Sequence, residues 1–312
     1  MKNILIFIGP KAYRDYSLNH KDFGLTGKRL DGFSKWLQRR VDGTHKHYSQ
    51  IAESTANGWL GTMLAFTHWC YEGHLLDTLP RNINSIPFFT NSVRHLSSYT
   101  VEEIHLLLNV LKPTPKWGGS MLAFILLGLN CGYTGIDIAS LTFAMVDLDT
   151  GYIRRTRQKT GVRQDHRLWD ITAKVLSALK PTDPIYEEVT NRPLWFSTQQ
   201  RRPVVWSSLV ARQGEVADQP RGVDTINKRF IGLRKSAFGG TDHQSLSFRF
   251  LRKTSATNLR SLDLPNTRLL ERMFLAHSPW SIGERFYVSP PQAKLDSATD
   301  SLADIYKPEE NL

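Results

Sequence analysis

Three short stretches bring together residue types suited to phosphodiester chemistry. Arg157-Gln158-Lys159-Thr160-Gly161 reads as a basic strand running into a tight turn. In Phe248-Arg249-Phe250-Leu251-Arg252-Lys253-Thr254 the apolar Phe248 and Leu251 stand at i, i+3, which gathers Arg249, Arg252 and Lys253 around a common edge of one helical turn. Leu275-Ala276-His277 is followed ten residues later by Tyr287. A guanidinium grips two phosphate oxygens, a lysine gives a proton, and a tyrosine attacks phosphorus. Each piece alone also has a plainer reading: Tyr287 as a buried aromatic, His277 as a helix cap or core histidine, Lys159 as a solvated turn residue, Arg249 as a surface arginine. The chain has no Gly-x-x-x-x-Gly-Lys, no His-Glu-x-x-His and no strand-linked Gly-x-Gly-x-x-Gly. His45 and His47 fit a solvated loop better than a metal site.

The elements that must position these residues read mainly as helices. Leu30, Phe33, Trp36 and Leu37 mark one helix, stopped by Gly43. Thr55 is placed as the cap of a second, whose apolar stripe is Trp59, Leu60, Met63, Leu64, Phe66 and Trp69 and whose end is near Gly73. Pro80 to Leu96 is rich in turn formers and reads as a linker. A new unit opens with a capping box, Thr100 with Glu103, ahead of Ile104, Leu107, Leu108 and Leu111. Gly118-Gly119 reads as a break. Met121 to Leu129 is apolar nearly all round, as expected of a helix at the centre of a domain. Tyr152 to Trp169 fits two short strands about a glycine turn, Ala173 to Leu179 a helix, and 181 to 222 an irregular insertion. Helices return from Thr225, and residues from 296 onward read as a tail.

The chain of 312 residues is long enough for two domains, and its 40% hydrophobic and 22% charged residues exclude global disorder, collagen-like repetition and a coiled-coil rod. The run Ile4 to Ile8 is too short for a signal-peptide core or a membrane span. Cys70 and Cys131 lie in apolar stretches and read as buried free thiols. The expectation is a cytoplasmic protein of two domains. A formal charge of +11 points to a polyanionic partner. It is concentrated at Arg154, Arg155, Arg157, Lys159 and Arg163, at Lys228, Arg229, Arg234 and Lys235, and at Arg249, Arg252, Lys253 and Arg260. Aromatic and apolar residues interleave with these clusters, so they belong to folded elements.

With these pieces in this order, the chain resembles the tyrosine recombinase (phage integrase) family over about residues 100 to 295. Leu251-Arg252-Lys253-Thr254 corresponds to the family's Leu-Arg-His-Thr, and Ala276-His277 to Tyr287 to its Gly-His-(ten)-Tyr. Residues 48 to 83 resemble the end of its helical core-binding domain, whose first helix is incompletely represented. The resemblance implies a mainly α fold with a small β-sheet or hairpin (α+β). Its parts would be a SAM-like core-binding domain at 1–83, a linker at 84–99, a catalytic domain at 100–295 and a tail at 296–312. It also implies DNA strand cleavage and rejoining through a 3′-phosphotyrosyl link, in DNA integration or another recombination of a mobile element, without ATP, metal or other cofactor. Tyr287 would be the nucleophile, with Arg252 on the nonbridging oxygens, Lys159 protonating the 5′-oxygen and His277 hydrogen-bonding the phosphate. Arg157, Arg155 and Lys253 would contact DNA. The partners would be double-stranded DNA and further copies of the chain, as a homotetramer on two duplexes, with no membrane and no nucleotide.

The sequence departs from the family at two positions. In Gly132-Tyr133-Thr134-Gly135-Ile136-Asp137-Ile138-Ala139-Ser140-Leu141, Thr134 stands where the family's Gly-x-Arg-x-x-Glu-x-x-x-Leu has its first arginine, and Arg249 replaces the histidine of His-x-x-Arg. Loss of a transition-state arginine costs roughly 10³–10⁵ in rate. Two outcomes follow: Arg249, Arg155 or Arg157 supplies the missing charge, or the protein is a DNA-binding relative without strand cleavage.

Overall fold

The computed structural model describes residues 17–21, 24–90, 98–111, 118–179, 194–197, 202–203, 205–209, 220–239, 246–278 and 292–308. The chain divides into two compact units, Met1–His95 and Leu96–Leu312.

In the N-terminal unit, α1 (Gly27–Val41) starts at Thr26, whose hydroxyl accepts the Arg29 amide at 3.3 Å. Helix α2 (Glu53–Glu72) begins from Ala52, one turn before the expected cap at Thr55; Glu53 favours that start by placing a carboxylate at the positive end of the helix dipole. Leu30, Phe33 and Leu37 pack against Ala56, Leu60, Met63 and Cys70. The α2 face that is buried runs 56, 60, 63, 67 and 70, so Trp69, placed on the apolar stripe by spacing, is 59% exposed and stacks on Phe66. The turn-rich stretch after Pro80 is anchored in this unit: Ile83 and Ile86 are buried, and Asn57 exchanges hydrogen bonds with the Phe89 backbone at 2.8 and 2.7 Å.

The C-terminal unit is built around α4 (Gly118–Asn130), which starts at the glycine pair read as a break and buries Met121 and Ala123 through Leu129, apart from Gly128's absent side chain, on all sides. Ahead of it comes α3 (Val101–Asn109), opened by the Thr100/Glu103 capping box, and against it lies α5 (Gly135–Ala139). A three-stranded antiparallel sheet follows, in the order β1 (Val146–Asp147), β2 (Tyr152–Thr156), β3 (Arg163–Arg167). Its register pairs Ile153 with His166 and Arg155 with Gln164, so these four point to the core side. After α6 (Asp170–Leu179), short antiparallel pairs join β4 (Phe196–Ser197) to β5 (Arg202–Pro203) and β6 (Val205–Leu209) to β7 (Pro220–Asp224), within the stretch expected to be irregular. Helices α7 (Thr225–Ala237), α8 (Arg249–Ser261), α9 (Thr267–Phe274) and α10 (Gln292–Tyr306) complete the unit.

The fold is thus mainly α with a small sheet, as expected. The segment read as a tail from 296 is, by contrast, most of α10. Leu295, Ala298, Leu302 and Tyr306 recur on one face and are buried in the main core, while Asp300 and Asp304 on the other side gave the sequence its polar look. Cys70 and Cys131 are buried and free. No described helix is long and apolar enough to cross a membrane.

Candidate active site

Helix α8 packs on α4 and α9 and carries Arg252 into the interior. Its Nη1 donates to the Gly132 carbonyl at 2.5 Å and its Nη2 to the Leu275 carbonyl. Gly132 has φ +62, and a Cβ there would stand 2.6 Å from the Phe274 ring, so glycine is what lets this carbonyl face Arg252. Burial, and then the nearby Arg157, bring the Arg252 guanidinium down to about 10, still charged at neutral pH.

The β2–β3 hairpin closes on Arg157, whose amide donates to Val162 O at 2.9 Å and whose carbonyl accepts from Gly161 N at 2.8 Å; Gly161 takes φ +66. That turn leaves Lys159 exposed at the tip. Two side chains strap the hairpin to the end of α9. Thr160 Oγ1 donates to Ala276 O at 3.0 Å, and Arg157 Nη1 donates to Leu275 O at 3.2 Å. The Leu275 carbonyl therefore receives guanidinium groups from both Arg157 and Arg252.

Thr134 precedes α5 and is committed to its capping partner. Its amide and its hydroxyl donate to Asp137 Oδ2, at 3.0 and 2.6 Å. The other Asp137 oxygen pairs with Arg155 Nη2 at 3.1 Å and lies 3.9 Å from Arg157 Nε. Arg155 Nη1 also reaches the Asp137 carbonyl at 2.7 Å, and its guanidinium lies over the Tyr133 ring. The Arg155 and Asp137 side chains are 3% and 6% exposed. Burial pushes the Asp137 carboxyl up, but the two Thr134 donors with Arg155 and Arg157 outweigh it and hold it below the ordinary value.

These groups border two adjoining cavities. The larger, about 610 Å³, is lined by Thr134, Arg249, Arg252, Lys253, Arg260 and Glu271 among others. The smaller, about 330 Å³, is lined by Thr134, Asp137, Arg155, Arg157 and Lys159 among others. Thr134 borders both. His277 is exposed just past the tight turn at Ala276 (φ +44). Partial desolvation and the charges of Arg252, Arg157, Arg272 and Lys159 depress its basicity, so the ring is neutral at pH 7.

Of the residues expected from sequence, Arg252, Arg157, Lys159, Arg249 and Lys253 thus meet around Thr134. Arg155 does not offer its charge to a ligand, because Asp137 holds it inside the protein. Tyr287 lies outside the described residues. Sequence reasoning missed His166, which is fully enclosed: Nε2 lies 3.2 Å from Phe274 O and Nδ1 3.3 Å from Tyr133 Oη. A carbonyl only accepts, so Nε2 carries the proton and Nδ1 receives one from Tyr133. The signal available was its place in β3, alternating with Gln164 on the inner face. Among the described residues no group of three or more His, Cys, Asp or Glu is arranged to hold a metal ion.

No protein-family model and no curated protein matches the chain in sequence. Solved structures do match it in shape. A lambda integrase dimer bound to a COC′ core site aligns over 93% of this chain and 89% of its own, with a TM-score of 0.55 and 17% identity. A lambda integrase tetramer bound to a Holliday junction gives 0.54 at 18% identity, over 91% of this chain and 70% of its own. The Tn1549 transposon integrase in complex with circular intermediate DNA gives 0.55 at 10% identity, over 94% of this chain and 98% of its own. The chain has the tyrosine recombinase fold.

Proposed function

We propose that the protein is a site-specific DNA recombinase or integrase. The observation that carries this reading is the meeting of Arg252 and Arg157 on the Leu275 carbonyl, next to His277 and the Lys159 turn, in a recombinase fold. Guanidinium groups so arranged suit the nonbridging oxygens of a phosphodiester as negative charge builds on them. In the proposed reaction the Tyr287 phenol passes its proton to water and its oxygen bonds to phosphorus as the bond to the 5′-oxygen breaks. The 5′-oxygen leaves with a proton from Lys159, and a 3′-phosphotyrosyl link remains. Attack by another 5′-hydroxyl on that link rejoins the strands and frees Tyr287. Neutral His277 hydrogen-bonds the phosphate, and exposed Arg249 with half-buried Lys253 extends the cationic surface toward the flanking backbone. Residues 1–83 would also grip DNA, in a chain working near the chromosome or on a mobile element. The lambda integrase tetramer on a Holliday junction supports a four-subunit assembly.

The test is covalent capture. The full chain selects duplexes from a randomised pool, the selected DNA is nicked along one strand, and products are run on a denaturing gel. A protein–DNA adduct absent in Tyr287→Phe is expected. Its absence from DNA the protein has itself selected would overturn the cleavage reading. The second reading, DNA binding without cleavage, is favoured by one observation: the Thr134 hydroxyl is directed to Asp137 and brings no charge.

A further inference from the structure

We propose that Arg157 takes over the role of the arginine absent at position 134, so that the phosphate seat is built from one helical guanidinium, Arg252, and one from the hairpin, Arg157. This rests on the recombinase reading of the same site.

Arg155, Arg249 and Arg157 are the candidates for the missing charge, and their surroundings separate them. Arg155 is enclosed and neutralised by Asp137, with its side chain 3% exposed. Arg249 is exposed and borders the larger cavity with Arg252, but its guanidinium is turned onto the Phe250 ring, 5.5 Å from the centroid. Arg157 borders the smaller cavity with Thr134 and is bonded to the same carbonyl as Arg252. Asp137 also fixes its direction, lying 3.9 Å from Nε.

The charge balance points the same way. Arg155, Arg157 and Arg252 are gathered about Asp137, the one carboxylate that pairs with any of the three among the described residues. Two guanidinium groups on one carbonyl repel each other, and burial strengthens that repulsion. An anion between them would relieve it. Thr134 leaves open the volume that a long side chain would fill, and its hydroxyl, held by Asp137, does not compete for the phosphate.

The test combines charge removal with charge transfer. In the covalent-capture assay, Arg157→Gln lowers the adduct rate by roughly 10³-fold, Arg157→Lys recovers part of it, and adding Thr134→Arg to Arg157→Gln restores at least about tenfold. A strap that only held the hairpin would not be repaired by a guanidinium at 134. Arg154→Gln, on the exposed strand face beside Asp147, keeps the wild-type rate. A wild-type rate in Arg157→Gln overturns the proposal, as does a loss that a folded Thr134→Arg/Arg157→Gln protein leaves unrepaired. A second probe, inorganic phosphate followed by the NMR shift of the His277 ring, does not depend on cleavage. Arg157→Gln should weaken phosphate by about tenfold, the effect of about 1.4 kcal/mol. Equal affinities overturn the proposal if the double variant does not fold or if the wild type forms no adduct; the latter result separately ends the cleavage reading.

Discussion

The enclosed His166 gives a pH dependence that can be worked out from its surroundings. Burial is the main cause that brings its pKa from 6.5 to about 4; the Phe274 carbonyl opposes the change, and Arg252 and Arg155 add to it. The folded value lies below the unfolded one, so the unfolded chain binds the proton first. The stability tied to this residue is therefore complete above about pH 7 and is lost as pH falls from 6.5 toward 4. At about 1.4 kcal/mol per pH unit, the full loss is about 3 kcal/mol, and about 2 kcal/mol of it falls between pH 7 and 5. His166→Asn cannot titrate. Urea unfolding of the wild type and the variant at pH 7 and pH 5, followed by circular dichroism, isolates the effect as a difference, since the carboxylates titrate in both proteins. The wild type should lose about 2 kcal/mol relative to the variant on going from pH 7 to pH 5. An unchanged difference, or a His166 ring titrating near 6.5 by NMR, would refute the reasoning.

Asp137→Asn leaves Arg155 charged and enclosed without its partner, and should cost about 3–5 kcal/mol in urea unfolding; a loss under about 1 kcal/mol would mean that the pair is open to water. Gly132→Ala forces a Cβ toward the Phe274 ring at a left-handed position and should cost about 1–3 kcal/mol while also displacing the carbonyl that holds Arg252. The adduct yield of that variant should fall more than its stability alone explains. Thr100→Ala removes one half of the capping box ahead of α3 and should lower stability by about 1 kcal/mol with no change in adduct chemistry.

What the sequence made legible was local. The Thr100/Glu103 box, the all-apolar α4 and the hairpin about Gly161 each depend on neighbours a few residues away, and each is present. The clustering of Arg157, Arg252, Lys253 and Lys159 was also legible, through order and motif spacing. Missing from the one-dimensional pattern was which way each charge turns. Arg155 and Arg157 are two residues apart, yet Arg155 is neutralised by Asp137 at 3.1 Å while Arg157, 3.9 Å from the same oxygen, reaches the Leu275 carbonyl. Helix α10 was hidden for a different reason: its buried face uses Leu295, Ala298, Leu302 and Tyr306, and frequent aspartates mask so sparse a stripe.

The β2–β3 hairpin is tied to the later chain at two separated points. Its turn holds Ala276 through Thr160, and its returning strand holds Gln292, whose Nε2 donates to Asp165 O at 2.8 Å. Tyr152 reinforces that second anchor at Asp296, 2.6 Å away. Described residues on either side of 279–291 are thus bonded to one hairpin, which also carries Lys159 and Arg157. On the proposed function, anchoring both flanks of Tyr287 to the element that carries the cations would make their encounter an intramolecular one, with a raised effective molarity. A shift in the hairpin's register would loosen both anchors at once, so that on the proposed function a change far from residue 287 would reach it from both sides.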